Sequence, residues 1–480
     1  MDDHPRDPGD PARPDDDPAH PTAPGDPAAP GDPAGPPPGW GLPGDPGDIE
    51  PGIAATPGRA GVLGLVRTLA IDFSPLRTSR EFRLLWSGQV VSFLGSQITY
   101  VALQFQVYQL TRSSLAVGLM ALCELVPLLT MAFVGGALAD AVDRRKLVLR
   151  TEALLALVPV GLLVNATLDE PRVWPLYVLA ALAAGLDGLG RPSLWALLPR
   201  LVKKEELPAA LALHSLYVNL GAVAGPATGG LIVAAVGLRV TYALDVVTFL
   251  VSLVTLAAMK ATPPPQDAAR PSLRSLAEGF RYARSQPVLM GTYLIDYNAM
   301  IFGMPTALFP ALAFERFGHH GLAPATVLGL LHGAPYAGAL LGTATSGWIR
   351  RVRRHGLAIL VSVFAWGIAI TAFGFATSLW VALPLLAVAG AGDFVSATFR
   401  STIWNQTIPD ELRGRLAGIE LANVASGPLL GNLEAGIVAK LRGTQFSIVS
   451  GGIASVVGTA LLAWRMPEFL HYRSEYGGET

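Results

Sequence analysis

Asp296 stands in an otherwise apolar stretch, with Tyr293, Tyr297, Met300 and Met304 completing one stripe at helical spacing. A carboxylate at membrane depth is expensive unless something neutralises or uses it, so such an acid is a candidate for holding a proton or a substrate. Asp296, Asp393, Glu124, Glu420 and Glu434 all meet that description and are the proton-coupling candidates. Asp393 has Arg400 seven residues further along the same face, which tends to keep it charged; Asp296 has no cation three or four residues away. The proton is therefore expected on Asp296 first and on Asp393 second.

Polar residues at helical spacing supply a wall for a cavity around these acids. Gln97, Tyr100 and Gln104 form one stripe, His332 and Tyr336 another, and Asn423 shares a face with Glu420 and Glu434. Asp187 and Arg191, four residues apart, can pair on one helix face, in a structural or a transport role. Asp245 reads as a helix-packing residue. A lone buried histidine such as His332 is more often structurally satisfied than a proton carrier. The sequence offers no nucleotide-binding loop, metal cluster or nucleophile constellation, so neither an enzyme nor an ATP-driven pump is expected.

What must hold these residues is a membrane. Hydrophobic residues make up 51% of the chain and charged ones 15%, with a mean hydropathy of +0.43; soluble domains carry about a quarter charged residues. Crossing a hydrocarbon core takes about 20 apolar residues per helix, and runs of that length recur. Six fall at 83–109, 114–138, 146–167, 173–199, 207–235 and 239–259, and six more at 288–314, 324–348, 356–376, 379–405, 414–439 and 443–465. The expectation is an all-α membrane protein of twelve transmembrane helices, in an N-terminal half (83–259) and a C-terminal half (288–465). The linker 260–287 contains Leu273, Leu276, Ala277, Phe280 and Arg284 at helical spacing after Ser272, an amphipathic surface helix with a cap. Residues 1–60, rich in Pro, Gly and Asp, have little to bury and read as a disordered acidic tail; 466–480 form a second tail. The start is acidic and polar, unlike a signal peptide, and Cys123 has no cysteine partner within the chain.

Alternate loops hold 24 Lys and Arg against 6 in the others. That bias places both termini in the cytoplasm of a multi-pass protein of the cell membrane. The halves also repeat, with Gly225-Pro226-Ala227-Thr228-Gly229 answered by Gly427-Pro428-Leu429-Leu430-Gly431.

Two motifs carry a family resemblance. Gly136-Ala137-Leu138-Ala139-Asp140 followed by Asp143-Arg144-Arg145-Lys146, between the second and third spans, resembles the loop signature of the major facilitator superfamily. Ala141 departs from it where a basic residue is usual, and Asp143 where glycine is usual. The resemblance implies a gating loop of Gly136, Asp140, Arg144 and Arg145, whose arginines pair with acids across the interface between the halves. Gly221, Gly225, Pro226, Gly229 and Gly230 resemble the fifth-helix signature of proton-coupled exporters; glycines four apart make a packing groove and the proline permits a bend. The runs Val134 to Leu147, Val164 to Pro171, Pro263 to Gln266 and Leu273 to Arg281 are similar to bacterial siderophore exporters of the enterobactin-exporting family. That similarity spans roughly Phe82 to Met466. It implies a major facilitator fold of two pseudo-symmetric six-helix halves and proton-driven export of a catecholate siderophore. Its partners would be a small-molecule substrate and the lipid bilayer, with no nucleotide, nucleic acid, metal or cofactor, in a monomer. Broad drug efflux, as of macrolides, is the alternative within transport; a non-transporting scaffold or sensor is the alternative outside it.

Overall fold

The computed structural model describes residues 72–141, 143–260, 273–318 and 321–473. The acidic segment 1–60 and the expected cap Ser272 lie outside the described residues. Helix α1 (Ser74–Thr78) leads into α2 (Arg80–Thr111), whose N-terminus is capped by Ser79 accepting the Phe82 amide at 3.1 Å. After α3 (Ser114–Ala141), Asp143 caps α4 (Arg144–Leu155), and α5 (Leu157–Thr167) continues the same path beyond Ala156. Next come α6 (Trp174–Leu197), α7 (Leu207–Ala257) and the linker helix α8 (Leu273–Ser285).

The seventh expected span is not one helix. α9 (Pro287–Gly303) stops, a 3-10 turn follows at Thr306–Leu308, and α10 (Phe309–Ala311) opens into a wide π turn at Leu312–Arg316. Asn432 secures the break, its Oδ1 accepting from the Thr306 hydroxyl at 2.5 Å and the Ala307 amide at 2.9 Å. Irregular backbone at this depth survives only where protein satisfies its polar groups, and Asn432 does so. The chain continues as α11 (Pro324–Ala344), α12 (His355–Phe375), α13 (Leu379–Thr407), α14 (Asp410–Arg442), α15 (Thr444–Arg465) and α16 (Pro467–Leu470).

Among the described residues, nine helical stretches are long and apolar enough to cross a membrane. One of them, Lys204–Ala257, contains both the fifth and the sixth expected spans. Its backbone turns at Gly237 with φ of 76°, a conformation that costs glycine nothing, and Gly443 does the same between α14 and α15 with φ of 92°. Helices α6 and α14 fall on the fourth and eleventh expected spans and have the length, but charged residues along them lower their apolarity.

Packing repeats between the halves. α2 lies on α7 and α3 on α6; in the second half α9 lies on α14 and α11 on α13. Between halves, α3 meets α14 and α7 meets α11, two contacts that a twofold relation exchanges. Lipid supplies no hydrophobic drive for helices to associate, so close backbone approach must do so. Gly118 faces Gly436 at the first contact and Gly230 faces Gly329 at the second. A methyl group on Gly436 would stand 2.9 Å from the Ser114 carbonyl oxygen and 3.3 Å from the Gly118 Cα. These glycines lie toward the helix ends joined by the arginine-poor loops. The outer faces are apolar, with Trp174, Trp380 and Trp464 exposed at helix ends as interfacial anchors.

Candidate functional site

In the second half, Asp296 on α9 is buried and forms an ion pair with Arg400 on α13. Asn423 on α14 donates its amide to Asp296 Oδ2 at 2.6 Å, so three helices converge on one carboxylate. The expected alignment of Arg400 with Asp393 is corrected here, and with it the ground for ranking Asp296 first, since the cation that favours a charged acid stands on Asp296. Seven residues of helix rise about 10 Å, whereas α9 brings Asp296 directly within reach. Asp393 is partly exposed, within electrostatic range of Tyr336, and makes no hydrogen bond or ion pair to a described residue. Glu420 lies close enough to Arg400 to act on its charge. Tyr293 stacks against Trp404 at 5.0 Å, and the Tyr297 and Ser426 hydroxyls are 2.8 Å apart. The Tyr293 hydroxyl and Asn423 Oδ1 are buried without a partner among the described residues.

Tyr100 on α2 stands between the halves, within electrostatic range of Glu124 on α3 and of Tyr336 on α11. Glu124 makes no hydrogen bond or ion pair to a described residue; it lines a small gap with Tyr100, Gln104, Met120, Leu429 and Asn432. Gln104 and His332, expected on the cavity wall, are buried and turned toward each other, with His332 Nε2 3.0 Å from Gln104 Oε1, while Gln104 also borders the gap at Glu124. Each supplies a hydrogen bond that the other cannot obtain from lipid. The His332 ring also packs edge-on against Tyr100 and Phe309. Gln97 is partly buried beneath Gly225. Glu434 is partly buried and likewise unpartnered among the described residues.

The first half is built differently. Arg191 and Asp187 pair along α6 at 2.5 Å, with side chains 52% and 41% exposed. Beside them Trp195, His214 and Tyr217 stack edge to face, with centroids 4.5 and 4.8 Å apart, and Phe93 and Trp86 extend the row. Asp245 is a packing residue, accepting from Thr99 at 2.5 Å and Thr248 at 2.9 Å. Glu152 is buried on α4, where Gln89 donates to it at 2.8 Å. Sequence reasoning did not single out Glu152, His214, Trp195 or Asn432. Glu152 carried the same signal as Glu124, an acid inside an apolar run.

Of the gating loop, Gly136 and Asp140 are described only as helical backbone. Arg145 corrects the expected pairing with acids across the interface. Its guanidinium donates to the carbonyls of Leu256 at 3.0 Å and Ala257 at 2.6 Å, the C-terminal end of α7 in its own half. Arg144 donates to Ala196 O at 3.1 Å, near the end of α6. Helix C-termini leave carbonyls without intrahelical partners and carry partial negative charge, which draws guanidinium groups. In the fifth-helix signature, Gly221 lies against Phe93, Gly225 against Gln97 and Gly229 against Ile98, while Gly230 meets Gly329 of the other half; Pro226 is buried between them.

At the arginine-poor end, the Tyr108 hydroxyl on α2 donates to Glu315 in the π turn, joining the halves. Arg112 sits 4.6 Å over the Phe314 ring, and Phe105 packs on the same ring at 5.1 Å.

A model of the transmembrane secretion effector family matches residues 70–474. The enterobactin exporter EntS of Escherichia coli strain K12 is 29% identical over 403 residues, covering 84% of this chain and 96% of that protein. EntS of Citrobacter koseri is 30% identical over 393 residues, covering 82% and 93%. Among solved structures, the peptide transporter POT aligns over 82% of this chain and 96% of its own, at a TM-score of 0.66 and 12% identity. The nucleoside transporter NupG aligns over 80% and 99% at 0.66 and 11%. These neighbours are named as transporters, and this chain shares their fold. This multi-pass membrane protein belongs to the transmembrane secretion effector family of the major facilitator superfamily.

Proposed function

We propose that this membrane exporter exchanges a small molecule for protons, and that the molecule is an iron-free catecholate siderophore. The observation that carries the coupling is the pair of buried Asp296 with Arg400, bonded by Asn423 and overlooked by Glu420. A proton arriving on Asp296 removes its charge and frees Arg400 to turn to Glu420, which pulls on α13 and α14 together. Proton and substrate then bias the same two-state element, as exchange requires. The relatives named as enterobactin exporters support the substrate class. So does the chemistry of the wall. Phenolic hydroxyls keep their protons near neutral pH, with values near about 10 for tyrosine. Iron-free catechols are therefore hydrogen-bond donors, suited to the unpartnered acceptors Glu124 and Asp393. The gradient needs no bound cofactor, the chain works as a monomer, and both termini lie in the cytoplasm.

The test is iron-free enterobactin movement in reconstituted vesicles. Asp296→Asn, which mimics the protonated acid, should lose export driven by a pH gradient while counterflow exchange persists. Wild-type gradient-driven export by this variant would remove Asp296 from coupling. A second reading, efflux of amine-bearing drugs, draws on the same two carboxylates, because Arg191 and Arg400 are both already paired. Erythromycin moving under a gradient while enterobactin does not would favour it.

A further inference from the structure

Glu152 is a carboxylate that neither the cavity wall nor the loop contacts use. It is 8% exposed and makes no ion pair with a described residue. Gln89 on α2 donates to its Oε1 at 2.8 Å; the hydroxyls of Ser92 on α2 and Ser252 on α7 stand 3.4 and 3.5 Å from Oε2. Asp187 on α6 and Tyr217 on α7 are the titratable groups within electrostatic range. The cation on α6, Arg191, is already taken by Asp187 at 2.5 Å. On its own helix Lys146 and Arg150 point to the exposed face, while Arg144 and Arg145 donate to carbonyls at helix ends. Neither α2 nor the later part of α7 presents a charged group to this carboxyl among the described residues.

Burying a carboxylate without a cation is costly unless hydrogen bonds hold its charge, as the threonines do for Asp245 at 2.5 and 2.9 Å; Glu152 has only the Gln89 bond that short. Here every partner is neutral, and two of the three are hydroxyls, which can donate or accept by rotating. As a carboxylate Glu152 accepts from Gln89 and the serines. As a carboxylic acid it keeps the Gln89 bond on Oε1 and donates its new O–H from Oε2 to a serine that has turned to accept. Both forms are satisfied by the same side chains in the same place, and no bond other than O–H forms or breaks.

We propose that Glu152 is a reversible proton-binding residue of the first half, placed one helix behind the exposed Asp187–Arg191 pair. Its part in transport rests on the proton-coupled reading above; its protonation does not. The test uses the purified full chain in lipid vesicles and the proton itself as probe, read by infrared difference spectra between acidic and alkaline buffer. The wild type should show a protonated-carboxyl band that Glu152→Gln lacks. The double variant Ser92→Ala/Ser252→Ala keeps the acid but not its rotating partners, and should shift the midpoint of that band. Identical carboxyl bands in wild type and Glu152→Gln would overturn the proposal. Should Glu152→Gln not fold, an unmoved midpoint in the serine variant would do the same. Export indifferent to a pH gradient would remove the coupled reading and leave this band in place, so the two ideas fail separately.

Discussion

In the first half, Arg191 reaches back one turn to Asp187 on its own helix, and both remain about half exposed. In the second, Arg400 crosses from α13 to Asp296 on α9, with side chains only 11% and 6% exposed. Two halves with one packing scheme thus treat their intramembrane arginine in opposite ways. The first pair can open and close without moving any helix against another. The second ties α9, α13 and α14 together through one carboxylate, so a change in its charge is felt as a change in packing. The first half compensates with Glu152, whose partners are all neutral and whose burial needs no arginine.

The largest expected effect tests that contrast directly. Arg400→Ala leaves Asp296 buried without its cation, a loss of about 3–5 kcal/mol where buried pairs have been broken from one side. Arg191→Ala breaks a half-exposed pair and should cost less than about 1 kcal/mol. Thermal unfolding of the two variants in detergent compares them. Equal shifts would mean that the halves are wired alike after all. Adding Asp296→Asn to Arg400→Ala should recover much of the loss, because the stranded charge is what costs.

A middle-sized effect concerns where the halves meet. Gly436→Val places carbon against the Ser114 carbonyl and the Gly118 backbone, and overpacking of this kind costs about 1–3 kcal/mol. The strain exists only while α3 and α14 are in contact, so the substitution should favour the state open at the arginine-poor end. Spin labels on α3 and α14 at that end should report a longer distance than in the parent protein. Unchanged distances would show that this glycine pair does not set the access state.

How much of this could be read from the residues depends on whether the cause was local. Apolar runs fixed the helices, because length and hydropathy act within one segment. The pairing of Asp187 with Arg191 was legible since it lies on one helix. Asp245 behaved as packing for the same reason, with Thr248 one turn away. Arg400 was misassigned because its true partner stands 104 positions earlier, and no spacing rule reaches across helices. His332 was placed on the cavity wall by its stripe, yet it is turned to Gln104, which itself borders the gap at Glu124. The break after Gly303 had a local signal that went unread, Pro305, which cannot donate to the helix and bars helical backbone at Met304; only Asn432, which satisfies the freed groups, comes from α14.

The smallest expected effect lies at the arginine-poor end, where the halves are joined by a side-chain bond as well as by glycines. Tyr108→Phe keeps the ring that packs against Phe314 at 5.5 Å and removes only the hydroxyl given to Glu315. A hydrogen bond to a charged acceptor contributes about 1.5–3 kcal/mol, but Glu315 is exposed and water can replace the lost donor. About 1 kcal/mol is therefore the expected change, about fivefold in the ratio of closed to open molecules. The bond exists only in the closed state, so the open state should gain population while the unfolding temperature stays close to that of the parent. Gly436→Val and Tyr108→Phe act at the same end by different means, one by collision and one by deletion. Their shifts in the spin-label distance should therefore have the same sign, with the valine variant the larger. A Tyr108→Phe protein that instead closed more tightly would show that Glu315 holds this end open, and that the bond to Tyr108 competes with a stronger latch.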